Sequence, residues 1–123
     1  MKQPKEIAVR IAEVLADKRG EDVTVLGVGH LTSIADYFVI ASGRNALAVR
    51  ALAEEVEEKL AAEGIESRRH EGMNEARWIV LDYSSVIVHI FHMEERQYYN
   101  IERLWMDGSN QVALSAPDHD ERV

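Results

Sequence analysis

The sequence contains no cysteine and only two prolines among its 123 residues. Without cysteine the chain can form neither disulfides nor a zinc–thiolate site, and thiol catalysis is excluded as well. Charges are scattered through residues 1–20 and no apolar run approaches the length of a membrane span, so we expect neither a secretory signal nor a membrane partner. A chain of this length usually folds as one domain, and we expect that domain to be cytoplasmic.

Basic residues are also scarce. The 14 lysines and arginines are outnumbered by 22 aspartates and glutamates, which gives a formal net charge of −8. Nucleic-acid binding depends on basic side chains that neutralise phosphates and release counterions, so we expect no direct contact with nucleic acid to be required. The negative field instead favours a basic protein partner, and ribosomal proteins are an abundant basic class.

Hydrophobic periodicity predicts the element order α-β-β-α-β-β-β-α, an α/β (α+β) fold in which helices flank a single mixed sheet of about five strands. The predicted helices cover residues 4–20, 44–63 and 94–106, and the predicted strands cover 22–28, 37–41, 65–71, 78–83 and 86–92. Two of these strands, 37–41 and 86–92, are largely apolar and should lie at the centre of the sheet, whereas the polar strand 65–71 suits an edge.

The middle helix and the end of the chain carry two further predictions. A helical stripe should pack on the sheet while four glutamates, Glu54, Glu55, Glu57 and Glu58, stay in water. The stripe consists of Val49, Leu52, Ala53, Val56 and Leu60. The domain is predicted to span residues 1–107, and residues 108–123 should form an acidic, flexible tail.

Two histidines three residues apart, His89 and His92, suggest a metal site. Successive side chains of a strand point to opposite faces, however, so these two cannot bind one ion within a regular strand. His92 could combine with Glu94 or Glu95 in the following turn, but that set lacks a recognised ligand spacing. We therefore predict a structural role for His89, no metal ion and no other cofactor.

Known catalytic patterns are missing. The sequence has no G-x-S-x-G elbow, and its GVGH and ASGR segments lack the Lys-Ser/Thr of a phosphate loop. Asp36 and Asp82 lie beside predicted strands, where nucleotidyl-transfer enzymes hold metal ions, yet neither is part of a D-x-D pair. Both could instead serve turns, Asp36 by capping the loop at Thr32 and Ser33, and Asp82 by a backbone contact before Ser84. We predict no catalytic residue and no enzyme, with a metal-dependent nucleotidyltransferase-like enzyme as the alternative.

Aromatic residues near the end of the domain indicate a surface for a partner. In the last predicted helix, Tyr98, Ile101 and Trp105 share a face that can pack on the sheet, with Tyr99 and Glu102 on an adjoining face. Most of these apolar groups are expected to be core.

Trp78 differs, because it opens a strand after the charged, turn-like segment EGMNEAR and could be half exposed at the rim of the sheet. Trp78 and Asp82 have the same parity, so on a regular strand both project from one face, roughly 13 Å apart.

Three motifs in order resemble the ribosomal silencing factor family, RsfS, also called Iojap. They are DYFVIASG at 36–43, WIVLDY…VIVHIF at 78–91 and R-x-Y-Y-x-I-E-x-L-W at 96–105. The resemblance runs from about residue 5 to residue 107. Two departures stand out: Ser84 and Ser85 replace the usual Gly-Asp of the hairpin, and Ile101 replaces a leucine.

The resemblance implies a nucleotidyltransferase-like fold that lacks the active-site carboxylates. It also implies binding to the large ribosomal subunit through its ribosomal protein fourteen, on the face where the small subunit docks. Such binding blocks subunit joining and represses translation when nutrients are short. Family members are similar in forming homodimers when free. Organelle members are linked to assembly of the large subunit, which is the alternative function within the family.

The predicted partner-binding residues are Trp78, Asp82, Tyr99 and Glu102. A flat aromatic anchor paired with a carboxylate on one sheet face suits a basic partner, since the indole can stack on an arginine and the carboxylate can accept a charge-assisted bond. The family motifs contain the same positions. The competing interpretations place Trp78 in the core and leave Glu102 to cap or pair within its own helix.

Overall fold

The computed structural model, which describes residues 2–114, has five strands in one sheet, with helices on both faces. In chain order the elements are α1 Pro4–Asp17, β1 Glu21–Gly27, β2 Tyr37–Gly43, α2 Ala46–Ala62, β3 Arg69–Glu71, β4 Trp78–Asp82, β5 Val86–His92, α3 Met93–Tyr99 and α4 Ile101–Trp105. The strand order is β1-β2-β5-β4-β3, and only the β2–β5 pair is parallel. The predicted mixed sheet is therefore confirmed. None of the described helices is long and apolar enough to cross a membrane.

The two apolar strands lie side by side, as predicted. Strand β5 is at the centre of the sheet and pairs with β2 in parallel, which requires a long crossover through α2, β3 and β4. The polar segment predicted over 65–71 contributes an edge strand, but only Arg69–Glu71 pairs with β4, and all three of its residues are exposed. A short, charged edge strand is a poor template for further strand addition.

Helices α1 and α2 cover one face of the sheet and enclose the larger core. The predicted α2 stripe is buried throughout, and the helix begins where the Asn45 side chain accepts a hydrogen bond from Ala48 N. Glu54 and Glu58 are exposed, as expected. The prediction was wrong for the other two glutamates, Glu55 and Glu57, which are half-buried.

Both of these glutamates have partners. Glu55 lies between Lys18 and Lys59, at 3.9 and 3.8 Å. Glu57 Oε2 accepts from Ser67 Oγ at 3.2 Å and lies 2.8 Å from His70 Nδ1. Glu57 therefore links α2 to the segment that leads into the edge strand.

Replacing Val56 by alanine should lower the free energy of unfolding by about 1–3 kcal/mol, because a fully buried side chain is truncated and a cavity remains. Urea unfolding measures this change. Glu58→Ala, on the exposed side of the same helix, is the matched control and should have little effect. An unfolding curve that Val56→Ala leaves unchanged would mean that the stripe does not contribute to the core.

The single last helix predicted over 94–106 is wrong. Asn100 adopts a left-handed conformation (φ 46°, ψ 53°) that ends α3, and α4 starts at the next residue. Asparagine tolerates this conformation better than most residues, so one residue suffices to break the helix. The helical face proposed for Tyr98 consequently does not exist: Tyr98 is 80% exposed, whereas Ile101 is buried and Trp105 is half-buried.

Residues 110–112, which the prediction assigned to a flexible tail, lie along β1. The Asn110 side chain donates to Gly27 O and Trp105 O at 2.8 and 2.7 Å. Gln111 forms a bridge with Leu26, and Val112 N donates to Val25 O at 2.8 Å. The rest of the predicted tail, residues 115–123, lies outside the described part of the chain.

Candidate partner-binding surface

The face of the sheet opposite α1 and α2 is covered only in part. The β1–β2 connection, α3 and α4 enclose a smaller core of seven buried residues, Leu26, Val28, Ala35, Phe38, Ile40, Phe91 and Ile101. Apart from the buried Phe91, the side chains of β4 and β5 on this face are only partly buried. We call these five residues the open sheet face: Trp78, Val80, Asp82, Ile87 and His89.

Strand register places the open sheet face in rows. Asp82 pairs with Ile87, Val80 pairs with His89, and Trp78 pairs with Phe91. Paired residues of neighbouring strands project from the same side, so Trp78 and Asp82 do share a face, as predicted. The predicted separation of His89 and His92 also holds, since the two have opposite parity within β5.

Trp78 is held by aromatic neighbours and one hydrogen bond. Its rings stack on Phe91 and meet Tyr99 at a tilt, with centroids 4.8 Å apart in both pairs. Its Nε1 donates to His89 Nδ1 at 3.2 Å. The indole is half-buried, so it is neither a core residue nor a freely exposed one. A half-buried tryptophan that packs on other aromatic rings is typical of an interface anchor.

A glycine lies where the β3–β4 connection approaches Trp78. Gly72 has a φ of 86°, and a side chain at this position would collide with the carbonyl oxygen of Trp78. Only glycine adopts this conformation readily and allows so close an approach. At the same end of the strand, His92 N donates to Arg77 O at 2.9 Å, which ties the start of β4 to the end of β5.

Asp82 stabilises the β4–β5 turn. Its Oδ1 accepts from Ser84 N at 2.8 Å, and Arg69 Nε lies 3.4 Å from Oδ2. Ser84 has a φ of 73°, a conformation that favours glycine, and it stands where the resemblance expects glycine. The turn contact weighed for Asp82 is therefore present. A role for Asp82 in partner binding stays a prediction.

Asp36 does not cap its loop in the way the sequence suggested. It is exposed, and Thr32 Oγ1 instead accepts the loop hydrogen bond from Ile34 N at 3.2 Å.

Glu102 lies away from the open sheet face. Its Oε2 accepts from Arg96 Nε at 2.8 Å, and Arg96 is buried. The Arg96 guanidinium also donates to Ser42 Oγ at 3.0 Å and to Thr24 Oγ1 at 3.4 Å. Glu102 thus pairs with a residue of α3, not within its own helix, and the pair fastens α3 and α4 to β1 and β2.

The structure therefore brings together two of the four predicted residues, Trp78 and Tyr99. Asp82 lies farther along the same face, and Glu102 belongs to the Arg96 network. Sequence reasoning missed His89 as a neighbour of Trp78 and Arg96 as a buried charge. Strand parity could have placed His89 and Trp78 on one face, but only if the pairing register of β4 and β5 had been known.

One group of potential metal ligands occurs in the described residues, formed by His92, Glu94 and Glu95. His92 Nδ1 already accepts from Glu94 N at 3.2 Å and so begins α3. Arg77 lies 2.6 Å from Glu95 and 3.6 Å from Glu94, and this contact lowers the pKa of the Glu95 carboxyl. A cation would compete with the arginine for these carboxylates. The absence of a bound metal stays a prediction, which elemental analysis of the purified protein can test.

Comparison with known proteins decides the family. The family model described as "Ribosomal silencing factor during starvation" (RsfS) matches residues 1–123. The chain belongs to the RsfS family. It is 41% identical to the ribosomal silencing factor RsfS of Bacillus subtilis over 103 residues, which cover 84% of this chain and 87% of the relative.

A crystal structure of a protein from Chromobacterium violaceum has a similar fold. Its TM-score is 0.82 at 32% identity, and the match covers 94% of this chain and 98% of that protein. A mouse protein named "Mitochondrial assembly of ribosomal large subunit protein 1" is 26% identical over 98 residues, which cover 77% of this chain and 43% of the relative. The family resemblance predicted from the three motifs is thereby confirmed. The RsfS description names a regulatory protein of the ribosome rather than an enzyme.

Proposed function

We propose that this chain is a ribosomal silencing factor that binds the large ribosomal subunit through ribosomal protein fourteen. Bound there, it blocks joining of the small subunit and represses translation in the cytoplasm when nutrients are limiting. Family membership supports the ribosomal role. The observation that carries the proposal is the half-buried Trp78, packed against Tyr99 of α3 on the face of the sheet that the described helices cover only in part.

The chemistry of this surface suits a basic protein. Trp78 and Tyr99 offer aromatic faces, and Tyr99 is 46% exposed. Arginine side chains stack on such faces and gain from the ring quadrupole. Two carboxylates lie on the same side of the sheet, Glu71 beside Val80 on the edge strand and Asp82 at the far end of β4. A net charge of −8 adds long-range attraction for a basic partner and discourages direct binding to RNA.

The proposed mechanism is steric. A domain of this length has a radius of gyration of roughly 14 Å, so it cannot fit between two surfaces that must come into direct contact. Silencing then needs no catalytic step, and affinity for the large subunit sets its strength. When free of the ribosome, the chain is proposed to form a homodimer, which gel filtration with light scattering can test.

Sucrose-gradient sedimentation with purified subunits tests this function. The chain should sediment with large subunits and not with small ones, and its addition before mixing should reduce the joined-ribosome peak. A pull-down with isolated ribosomal protein fourteen should then capture the chain without any RNA. Unchanged subunit joining at saturating amounts of the chain would refute the silencing mechanism, and failure of the pull-down would refute the named partner.

The mouse relative gives an observation in favour of a second function, assembly of the large subunit. The two functions differ in what depletion does to cells. Loss of an assembly factor leaves incomplete large subunits in growing cells, whereas loss of a silencing factor leaves growing cells unaffected and raises translation in starved ones. Gradient profiles of depleted cells under both conditions separate them.

A further inference from the structure

His89 is a polar residue in apolar surroundings. It lies in the middle row of the open sheet face, between Val80 of β4 and Ile40 of β2. Its ring lies nearly parallel to that of Phe91, with centroids 6.3 Å apart, and meets Phe38 edge to face at 4.9 Å. Its hydrogen bond to Trp78 is the feature that distinguishes it from an apolar core residue.

The hydrogen bond to Trp78 fixes the tautomer of His89. The indole Nε1–H can only donate, so His89 Nδ1 must accept, and the proton of the neutral ring is on Nε2. That Nε2 is buried and has no hydrogen-bond partner among the described residues. Burial lowers the pKa of His89 to about 4, so the ring stays neutral and Nδ1 remains an acceptor at neutral pH.

This arrangement is a poor choice for stability alone. One hydrogen bond is formed, but a buried donor is left unsatisfied, and the cost of an unsatisfied donor can equal or exceed the net gain from one bond. An apolar side chain of similar size avoids that cost. Local rules of this kind are broken mostly where function requires it. The group that His89 serves, Trp78, is the half-exposed centre of the proposed binding surface.

We propose that His89 is a positioning residue whose Nδ1 holds the Trp78 indole in the one orientation that packs on Phe91 and Tyr99 and presents its outer side to the ribosomal partner. The identity of the partner rests on the proposed function. The positioning of Trp78 by His89 in the free protein does not depend on the proposed function. Holding a large side chain in its bound orientation before binding lowers the entropy lost on association, so affinity rises without any new contact.

Two variants of His89 separate positioning from packing. His89→Asn places an amide oxygen near the position of Nδ1 and keeps an acceptor for Trp78. His89→Leu replaces the ring by an apolar side chain of similar size and removes the acceptor for Trp78. His89→Gln is a second variant without an acceptor near Nδ1, because its longer side chain carries the amide near the position of Nε2. It replaces the leucine variant if that variant fails to fold.

Three measurements are needed: the NMR signal and solvent exchange of the Trp78 indole N–H in the free protein, urea unfolding, and affinity for isolated large subunits. We expect His89→Leu to be at least as stable as the parent chain, with a shifted, faster-exchanging indole N–H and roughly 5- to 10-fold weaker binding. We expect His89→Asn to keep the indole signal close to its original position and to bind within about twofold of the parent.

An unchanged indole signal in His89→Leu overturns the proposal, as does unchanged binding by that variant while Trp78→Ala binds weakly. Loss of binding by His89→Asn despite a retained indole signal overturns it too. If the parent chain itself fails to bind large subunits, the proposed function is wrong. The indole measurements still decide in that case whether His89 positions Trp78.

Discussion

A Trp78→Ala variant is expected to remain folded and to bind the large ribosomal subunit at least about 30-fold more weakly than the parent chain. That factor corresponds to about 2 kcal/mol, the loss typical of an interface anchor. The reason is the position of the indole, which packs on Phe91 and Tyr99 and is only half-buried. Titration of the labelled chain with large subunits measures the affinity.

The same substitution also has a cost in stability. Truncating Trp78 removes two aromatic contacts and the hydrogen bond to His89, for which we expect a loss of about 1–3 kcal/mol in the free energy of unfolding. Domains of this size usually have a free energy of unfolding of about 5–15 kcal/mol, so the variant should still be folded in the binding assay.

A matched control separates binding from stability. Tyr37→Ala also truncates a half-buried aromatic residue, but Tyr37 packs against the larger core beneath α1 and α2. It should lose a similar amount of stability and bind the large subunit at the parent affinity. Equal affinity of Trp78→Ala and the parent would place the binding surface elsewhere, and a parallel loss in both variants would point to instability instead.

The parts of this fold that depend on periodicity could be predicted from the sequence. Alternation along β4 put Trp78 and Asp82 on one face, and the same rule separated His89 from His92. The α2 stripe followed from the helical period, and largely apolar runs identified the two central strands. These features are set by near neighbours in the sequence and by the geometry of one element at a time.

The break at Asn100 could not be predicted in this way. The apolar spacing of Tyr98, Ile101 and Trp105 continues a helical period across the break, so periodicity gives no signal there. The left-handed backbone at one residue redirects the chain and exchanges the roles of two tyrosines: Tyr99 meets Trp78 while Tyr98 points into solvent. The backbone conformation of Asn100 therefore determines which tyrosine contacts Trp78.

Contacts between distant segments were also beyond sequence reasoning. The hydrogen bond from Trp78 to His89 depends on the pairing register of β4 and β5, which alternation does not determine. Glu102 was predicted to bind the partner, with a cap or a pair within its own helix as the alternative. It is half-buried because Arg96, six residues earlier in the sequence, is inserted between the helices and the sheet.

An Arg96→Met variant is expected to lose about 2–4 kcal/mol of unfolding free energy, the largest loss we predict for any single substitution. The Arg96 side chain is 9% exposed and that of Glu102 is 19% exposed, and one carboxylate oxygen of Glu102 has no partner among the described residues. Removing the guanidinium leaves the second oxygen without its charged partner, together with the hydroxyl groups of Ser42 and Thr24. A partly buried charge without a partner costs far more than a surface charge.

Two further variants show whether the charge pair is responsible. The double variant Arg96→Met with Glu102→Met removes both charges and should recover much of the lost stability, because an apolar pair of similar size can replace a buried ion pair. Arg77→Met is the matched control: it breaks a pair with Glu95 that is shorter, at 2.6 Å, but exposed, and should change stability little.

Arg96 fastens α3 to the sheet, and α3 carries Tyr99. The Arg96→Met variant should therefore also loosen the packing of Tyr99 on Trp78 and weaken binding to the large subunit. If the double variant is as unstable as Arg96→Met alone, the arginine stabilises the fold through its bonds to β1 and β2 and not by neutralising Glu102.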